Sequence, residues 1–301
     1  MQPLLIQGLV AATFTPMHDD GKLNLPLISE VVDYLIERRI AGLYILGSTG
    51  EGLSLTHDER KQVAEAFVEA AGSRLPVIVQ VGCESLMAAA DLAAHAEAIG
   101  ANAISAVSPV YFKPESARGL VLSMQQIASA APRVPFYYYH IPAATGLRHS
   151  ILDFVEIASK QVPNFCGIKF TSPELYDFQA CLETQKAELL WGVDEMLLGG
   201  VSAGAHGAVG STYNFAAKLY HEMLTALDKG NLAEARACQS QSQEIVRAFV
   251  PFGPRAAQKA MFSMVGPDCG PPRLPICRLS QEDHVGLTAA LKQTRFFELQ
   301  S

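Results

Sequence analysis

Eight short stretches rich in β-forming residues recur along the chain at intervals of about thirty residues, and a helical pattern follows each of them. Several are nearly continuous apolar runs, which is typical of parallel strands that are covered on both faces. Such regular alternation favours a closed barrel over an open sheet. The stretches span residues 8–16, 41–50, 76–82, 101–109, 135–142, 165–171, 188–194 and 205–212. The sequence therefore predicts an α/β fold, a (β/α)8 TIM barrel.

Helix-capping residues stand between the predicted strands. Thr56 and Glu59 form a capping-box pair ahead of apolar residues at helical spacing. Ser172 and Pro173 predict an N-cap followed by proline at the first helical position. Gly100 follows an alanine-rich stretch, where a helix-ending glycine belongs.

The strand signals stop after about residue 213, and the rest of the chain has helical patterns. Two helical segments, residues 214–250 and 280–298, are separated by Pro/Gly-rich breaks at 250–255 and 266–275. No flexible linker precedes this region, which favours packing on the barrel over the alternative of a separate domain. We expect a barrel over residues 1–230 and a C-terminal helical extension over residues 231–301.

Composition excludes several classes of partner. With 301 residues and a net charge of −7, the chain has no basic surface signal, so nucleic acid is not an expected partner. The chain has no uninterrupted apolar run of about 18 residues, so the sequence predicts no membrane-spanning helix. The six cysteines lack metal-ligand spacing, and no secretory segment is recognisable. We expect free thiols in the cytoplasm rather than disulfides or a zinc site.

Active sites of this fold form at the carboxyl ends of the strands. Polar residues at those ends are Ser48 and Thr49 after strand two, Tyr111 after strand four, Tyr139 on strand five, Lys169 and Thr171 on strand six, Asp194 and Glu195 after strand seven, and Ser211 after strand eight. These residues are the candidates for chemistry.

Lys169 is the most informative candidate, because it lies within an otherwise apolar strand. Burying an unpaired ammonium is unfavourable, and desolvation lowers the pKa of a lysine. Lowering that pKa from about 10.4 to 7–8 requires about 4 kcal/mol and yields a neutral amine nucleophile. A lysine in a buried salt bridge, or one that reaches past the strand end to water, explains the strand equally well. From the strand alone, both interpretations stay open.

Two further signals are weak evidence when each is taken alone. Tyr139 shares a strand face with Tyr137, so it lies nearest the barrel mouth if that face points inward. By the same alternation Thr171 shares a face with Lys169. The small turn at residues 47–52 could hold a carboxylate at a helix N-terminus through its N–H groups and hydroxyls. The alternative for Tyr139 is that it only packs in the core. The alternative for residues 47–52 is an ordinary strand-to-helix turn that binds no ligand.

Taken together, the motifs resemble the N-acetylneuraminate lyase branch of the dihydrodipicolinate synthase superfamily. They stand in the family order and spacing, and the resemblance covers essentially the whole chain. The matching segments are GLYILGSTGEG (42–52), PFYYYHIPAATG (135–146), GIKFT (167–171), WGVDE (191–195), GAVGSTYN (207–214) and GPPRLP (270–275).

The resemblance implies a role for each matching position. Lys169 would form a Schiff base with pyruvate, and Tyr139 would transfer protons. Ser48 and Thr49 would hold the pyruvate carboxylate. Tyr111, in VYFKP, is similar to a tyrosine that reaches a neighbouring subunit's site in some members.

Two places in the sequence separate the lyase branch from the synthases. Synthases of the superfamily carry an arginine in the turn after the strand-five tyrosine, and Ala144 stands there in this chain. Losing that carboxylate clamp argues against a dicarboxylate-forming synthase. Residues similar to those that bind the polyhydroxylated tail of sialic acid are Gly192, Asp194, Glu195 and Ser211. Because adjacent residues on a strand face opposite ways, Asp194 and Glu195 can both serve only if the chain has begun to turn. Otherwise the two are a charge pair at a helix N-terminus.

The resemblance implies reversible aldol cleavage of N-acetylneuraminate to N-acetylmannosamine and pyruvate, without a metal or organic cofactor. It also implies a homotetramer. Another pyruvate-dependent aldolase, acting on a 2-keto-3-deoxy sugar acid or a 4-hydroxy-2-oxo acid, is the nearest alternative. Two alternatives belong to other functional classes: a non-catalytic barrel that only binds sugar acids, and a phosphate-binding barrel isomerase. Neither explains Lys169.

Overall fold

The computed structural model describes residues 2–300, except for the side chain of residue 300. Eight parallel strands close into a barrel in chain order, and the last pairs with the first. The strands are β1 (Gly8–Ala12), β2 (Gly42–Ile45), β3 (Val77–Gln80), β4 (Ala103–Val107), β5 (Phe136–His140), β6 (Phe165–Phe170), β7 (Glu188–Trp191) and β8 (Gly207–Gly210). Each predicted stretch contains one of these strands, which confirms the (β/α)8 TIM barrel.

Helices connect the strands and follow the last one. Within the described residues the α-helices are α1 (Ile28–Glu37), α2 (His57–Ala71), α3 (Leu86–Ala98), α4 (Ala117–Ala128), α5 (Pro142–Thr145), α6 (Ile151–Gln161), α7 (Leu175–Glu183), α8 (Leu197–Ser202), α9 (Tyr213–Asp228), α10 (Leu232–Phe249), α11 (Pro254–Ser263) and α12 (Gln281–Leu291). Short 3₁₀ helices span Leu25–Leu27, Gly52–Ser54, Asp194–Met196, Val250–Phe252 and Phe296–Gln300.

Two of the predicted helix boundaries are confirmed and one is wrong. Thr56 and Glu59 form the capping box of α2, and Gly100 follows α3 with a φ of +85°. The predicted helix start at Ser172 is wrong, because α7 begins at Leu175. The Ser172 hydroxyl instead accepts the Glu174 N–H at 3.4 Å, so it closes a local turn ahead of the helix.

The tail departs from its predicted pattern in three ways. The helix expected over residues 280–298 ends at Leu291, and a 3₁₀ helix follows at Phe296–Gln300. The single helix expected over residues 214–250 is divided into α9 and α10, because Gly230 adopts a φ of +72° and ends the first helix. Asn231 then caps α10 through the Glu234 N–H. Between the two Pro/Gly-rich breaks the chain forms α11, which begins at Pro254 and was not predicted.

The helices after α9 lie against the barrel. Gln239 on α10 accepts the Leu198 N–H at 2.8 Å, and Gln243 donates to the Glu195 carbonyl at 3.0 Å. The proposed boundary between residues 230 and 231 stays a prediction. No helix in residues 2–300 is both long and apolar enough to cross a membrane.

A bulge in β6 determines which side chains meet inside the barrel. Phe136 pairs with Phe165, but Tyr137 pairs with Gly167, so Cys166 is an extra residue in β6. A Cβ at Gly167 would lie 2.5 Å from the Tyr137 ring, so only glycine fits there. Beyond the bulge, Tyr139 and Lys169 are direct neighbours, and the face shared by Tyr137 and Tyr139, whose direction the sequence left open, points into the barrel. The apolar barrel interior contains Val10, Tyr44, Ile78, Val107, Tyr137, Tyr139, Leu190 and Val209.

Candidate active site

Lys169 lies inside the barrel near its carboxyl-end mouth, and its side chain is only 4% exposed. Its Nζ is 3.8 Å from the ring centroid of Tyr44 and 4.1 Å from that of Tyr139. No carboxylate of residues 2–300 forms a salt bridge with Lys169. The aromatic faces give an ammonium partial compensation, yet burial still lowers the pKa of Lys169. The amine is therefore more readily neutral than an exposed lysine.

Neighbouring charges modify this shift in both directions. Interactions with Tyr139 and Asp194 raise the pKa of Lys169, whereas the positive charge of Arg255 lowers it. Burial is the largest cause, so the net direction is downward. A buried salt bridge, which the strand pattern left open, does not explain this lysine.

Tyr139 connects the amine to the turn after β2. Its ring is 3% exposed, and its hydroxyl oxygen lies 3.5 Å from the Ser48 hydroxyl oxygen. Tyr44 covers the other side of Lys169 and donates its hydroxyl proton to Ser105 at 3.0 Å. Burial raises the pKa of Tyr44, so this phenol stays protonated. The Lys169 amine therefore lies between the rings of Tyr44 and Tyr139.

The turn at residues 47–52 is closed by its own backbone. The Glu51 N–H donates to the Ser48 carbonyl at 3.3 Å, and the Gly52 N–H donates to the Gly47 carbonyl at 3.1 Å. Ser48 and Thr49 are half-buried at its tip. The turn does not lead directly into an α-helix as predicted, because a 3₁₀ turn follows and α2 begins only at residue 57.

Glu51 connects this turn to the C-terminal extension. It has a left-handed φ of +55°, and its carboxylate is almost fully buried. Lys259 on α11 donates to Oε1 at 2.9 Å, and the Arg273 N–H donates to Oε2 at 2.7 Å. This buried ion pair holds the turn that carries Ser48 and Thr49.

A cavity of about 290 Å³ opens beside Ser48 and Tyr139. It is lined by Ser48, Glu51, Gly52, Leu53, Ser54, Gln80, Val107, Val110, Tyr139, Ile141, Ala144, Thr145, Arg255 and Ile276. A larger cavity of about 510 Å³ lies at the opposite end of the barrel, next to Cys166 and Glu188. Of these two cavities, the smaller one is lined by Tyr139, which flanks Lys169.

Asp194 is buried on the β7–β8 side of the mouth. Oδ2 accepts the Thr212 N–H at 2.8 Å and the Thr212 hydroxyl at 2.7 Å. Burial raises the pKa of Asp194 to about 6. A Cβ at position 210 would lie 2.0 Å from Oδ1, so Gly210 leaves the space for this carboxylate.

Residues 194–196 form a 3₁₀ turn, so the chain has begun to turn as the joint use of Asp194 and Glu195 requires. Glu195 and Ser211 are half-buried near this turn. Gly192 donates its N–H to the Phe170 carbonyl at 2.8 Å, and a Cβ there would meet the Thr171 hydroxyl oxygen at 2.2 Å. That oxygen is buried and has no hydrogen-bond partner among the described residues.

Tyr111 does not line the cavity of its own chain. Its side chain is 80% exposed, and its ring lies edge-on to Phe112, which is also exposed. Glu84 holds the backbone of this loop through the Tyr111 N–H at 3.3 Å.

Among residues 2–300, no group of three or more His, Cys, Asp or Glu side chains is placed to hold a metal ion.

Three residues beside the site were missed in the sequence. Tyr44 could have been found, because alternation along β2 places it on the inward face. Arg255 and Lys259 carry no comparable signal, since they belong to α11, whose position over the barrel mouth is not a local property of the chain.

The chain is a carbon–carbon lyase of class I aldolase type, and the buried amine at the mouth of its closed barrel fits this class. The chain belongs to the dihydrodipicolinate synthetase family, whose sequence model matches residues 5–294. It is 45% identical over 285 residues to N-acetylneuraminate lyase of Xenopus tropicalis, with 93% of each chain covered.

Solved structures give the same family. N-acetylneuraminate lyase of Proteus mirabilis superposes with a TM-score of 0.94 and 38% identity, covering 96% of this chain and 99% of that one. A catalytic lysine mutant of the Ruminococcus gnavus sialic acid aldolase superposes with a TM-score of 0.93 and 26% identity, covering 100% and 99%.

Proposed function

We propose that this enzyme cleaves N-acetylneuraminate reversibly to N-acetylmannosamine and pyruvate through a Schiff base on Lys169. The observation that carries the proposal is the Lys169 amine, which is buried between two tyrosine rings without a carboxylate partner and has a lowered pKa. Its relatives with 40–46% identity over most of the chain include several N-acetylneuraminate lyases.

The first step forms the covalent intermediate. The neutral Lys169 nitrogen adds to the C2 ketone of the open-chain sugar acid, and water leaves as the protonated imine forms. The imine then accepts electrons from the breaking C3–C4 bond, which produces an enamine rather than a carbanion. Because the imine is itself the electron sink, the proposed mechanism needs no metal or organic cofactor.

Proton transfer completes the cleavage. As C3–C4 breaks, the C4 hydroxyl loses its proton through the Tyr139 hydroxyl, directly or by way of the substrate carboxylate, and C4 becomes the aldehyde of N-acetylmannosamine. The enamine carbon C3 then gains a proton, and water releases pyruvate from Lys169. The 3.5 Å contact between Tyr139 and Ser48 supports this relay, because it brings the phenol to the carboxylate site.

The remaining site residues bind the ends of the substrate. Ser48 and Thr49 hold the carboxylate of the 2-oxo acid at the turn after β2. Thr171 orients the C4 hydroxyl, which is supported by its buried oxygen without a protein partner among the described residues. The sugar tail is bound on the β7–β8 side by Gly192, Asp194, Glu195 and Ser211.

We propose a cytoplasmic homotetramer in which Tyr111 enters the site of a neighbouring subunit. Two observations support this arrangement: Tyr111 is 80% exposed, and Val110 beside it lines the cavity. The six unpaired cysteines support a reducing compartment. Sedimentation at assay concentration should give the mass of four protomers, and a monomer would contradict the assembly.

Borohydride trapping tests the nucleophile. Reduction in the presence of pyruvate should leave one pyruvate-derived adduct on Lys169, identified by peptide mass spectrometry. Lys169→Met should lose the adduct and the cleavage activity, whereas Lys160→Met, which changes an exposed lysine of α6, should keep both. An adduct at another lysine, or none in the native enzyme, would reject the assignment.

A substrate panel tests the specificity. Pyruvate release should be fastest from N-acetylneuraminate. Faster release from a 2-keto-3-deoxy sugar acid or a 4-hydroxy-2-oxo acid would identify the nearest alternative aldolase. Binding of sugar acids without turnover would identify a non-catalytic barrel.

A further inference from the structure

The cavity beside Tyr139 has an unbalanced positive charge. Two charged side chains, Glu51 and Arg255, line it. The Glu51 carboxylate is already bound by Lys259 and by the Arg273 N–H, both from the C-terminal extension. No carboxylate of residues 2–300 forms a salt bridge with Arg255. The guanidinium is therefore the uncompensated charge of the cavity.

The stability of α11 does not explain why an arginine stands at this position. Arg255 is the second residue of the helix, directly after Pro254. A cation in the first turn faces the positive end of the helix dipole, which is unfavourable for the helix. The side chain is exposed, so it does not contribute to the apolar core either.

The segment after β5 contributes no charge to this cavity. Ala144, in the short helix α5, lines it together with Ile141 and Thr145. Arg255 of α11 is therefore the one cation among the described lining residues.

The two sides of the barrel mouth also differ in charge. Arg255 and the Ser48 turn lie on the side formed by the loops after β2 to β5, whereas Asp194 and Glu195 follow β7. A substrate with a carboxylate at one end and hydroxyl groups at the other has one favoured orientation in this field. Guanidinium groups bind carboxylates through two parallel hydrogen bonds.

We propose that Arg255 binds the carboxylate of the 2-oxo acid, together with Ser48, and thereby selects anionic ketones and sets their orientation toward Lys169. This inference rests on the proposed function. It assigns to the C-terminal extension a direct part in substrate recognition, in addition to its support of the Ser48 turn.

The test compares Arg255→Met and Arg255→Lys with the native enzyme, using pyruvate and its neutral analogue methyl pyruvate. In Arg255→Met, the pyruvate concentration for half-maximal borohydride trapping should rise about 10- to 100-fold, as for a lost hydrogen bond to a charged group. The methyl pyruvate concentration for half-maximal trapping should change less than about threefold, so the variant loses most of the native enzyme's preference for pyruvate over its ester. Arg255→Lys should be intermediate, because it keeps the charge without the planar fork.

Two controls isolate the effect. Arg247→Met removes an exposed arginine from the last turn of α10, away from the cavity, and should leave both constants unchanged. Measurement at several pH values, up to the alkaline plateau, separates lost carboxylate binding from a changed pKa of Lys169. If Arg255→Met weakens pyruvate trapping only at low pH, the proposed contact with the carboxylate is overturned.

The outcomes distinguish this inference from the function on which it rests. If the native enzyme forms no adduct at Lys169, the proposed function fails. The function stands and the role of Arg255 is rejected in either of two cases, provided that the native enzyme forms the adduct at Lys169. In the first, Arg255→Met and the native enzyme need the same pyruvate concentration for half-maximal trapping. In the second, Arg255→Met raises the half-maximal concentrations of pyruvate and methyl pyruvate by the same factor.

Discussion

The buried ion pair between Lys259 and Glu51 gives a stability effect whose size follows from its geometry. The two side chains are 1% and 3% exposed, and Lys259 Nζ lies 2.9 Å from Glu51 Oε1 and 3.1 Å from the Pro271 carbonyl. Lys259→Met keeps most of the side-chain volume but removes both hydrogen bonds and the charge. The Glu51 carboxylate then stays buried, with the Arg273 N–H as its hydrogen-bond donor in this structure.

Removing one partner of a buried ion pair destabilises a protein by about 3–5 kcal/mol, because the other charge is left without compensation. Methionine fills an irregular gap well, so the packing contribution is small. We therefore expect Lys259→Met to lower the free energy of unfolding by about 3–5 kcal/mol. Adding Glu51→Gln should recover about 2 kcal/mol or more, because the uncompensated charge is then gone.

The assay is urea denaturation at neutral pH and constant protomer concentration, since subunit association also contributes to stability. Lys22→Met serves as the control, because it breaks an exposed pair with Asp20 and should change stability little. A loss below about 1 kcal/mol in Lys259→Met, or strictly additive effects in the double variant, would refute the reasoning. Pyruvate binding should weaken in parallel, since Glu51 closes the turn that carries Ser48.

Two further predictions concern the site. Tyr139→Phe should lower kcat about 10²- to 10³-fold while borohydride still traps pyruvate on Lys169, and an unchanged kcat would remove Tyr139 from the relay. Burial raises the pKa of Asp194 from 3.8 to about 6, so the folded state favours its protonated form; that stabilisation is present below the unfolded value and is lost as the pH rises through 6. From about pH 4.5 to pH 7, the stability of the native enzyme relative to the Asp194→Asn variant should therefore fall by about 2 kcal/mol in urea denaturation, and a constant difference would contradict the raised pKa.

Local patterns predicted most of the fold because the signals act within one turn or one strand. The eight strands were visible as apolar runs, and the Thr56–Glu59 capping box requires only residues three apart. Where two local signals competed, prediction was less accurate. Ser172 caps a turn rather than a helix, and Gly230 divides a helical pattern that otherwise continues.

Long-range contacts were outside the reach of such patterns. Lys259 and Glu51 are 208 positions apart, and nothing near either residue indicates the other. The same holds for Arg255, whose role depends on how α11 lies over the mouth of the barrel.

Local patterns in the sequence were enough to predict the barrel and to place Tyr139 and Lys169 at the carboxyl ends of strands five and six, because apolar runs and their spacing involve residues that are close together in the chain. Tertiary structure decided that these two side chains are neighbours, since the bulge at Cys166 shifts the register of β6 by one residue. It also decided the charge of the cavity and the lowered pKa of Lys169. Both depend on burial and on groups brought together from distant parts of the chain, and desolvation is a property of the assembled site.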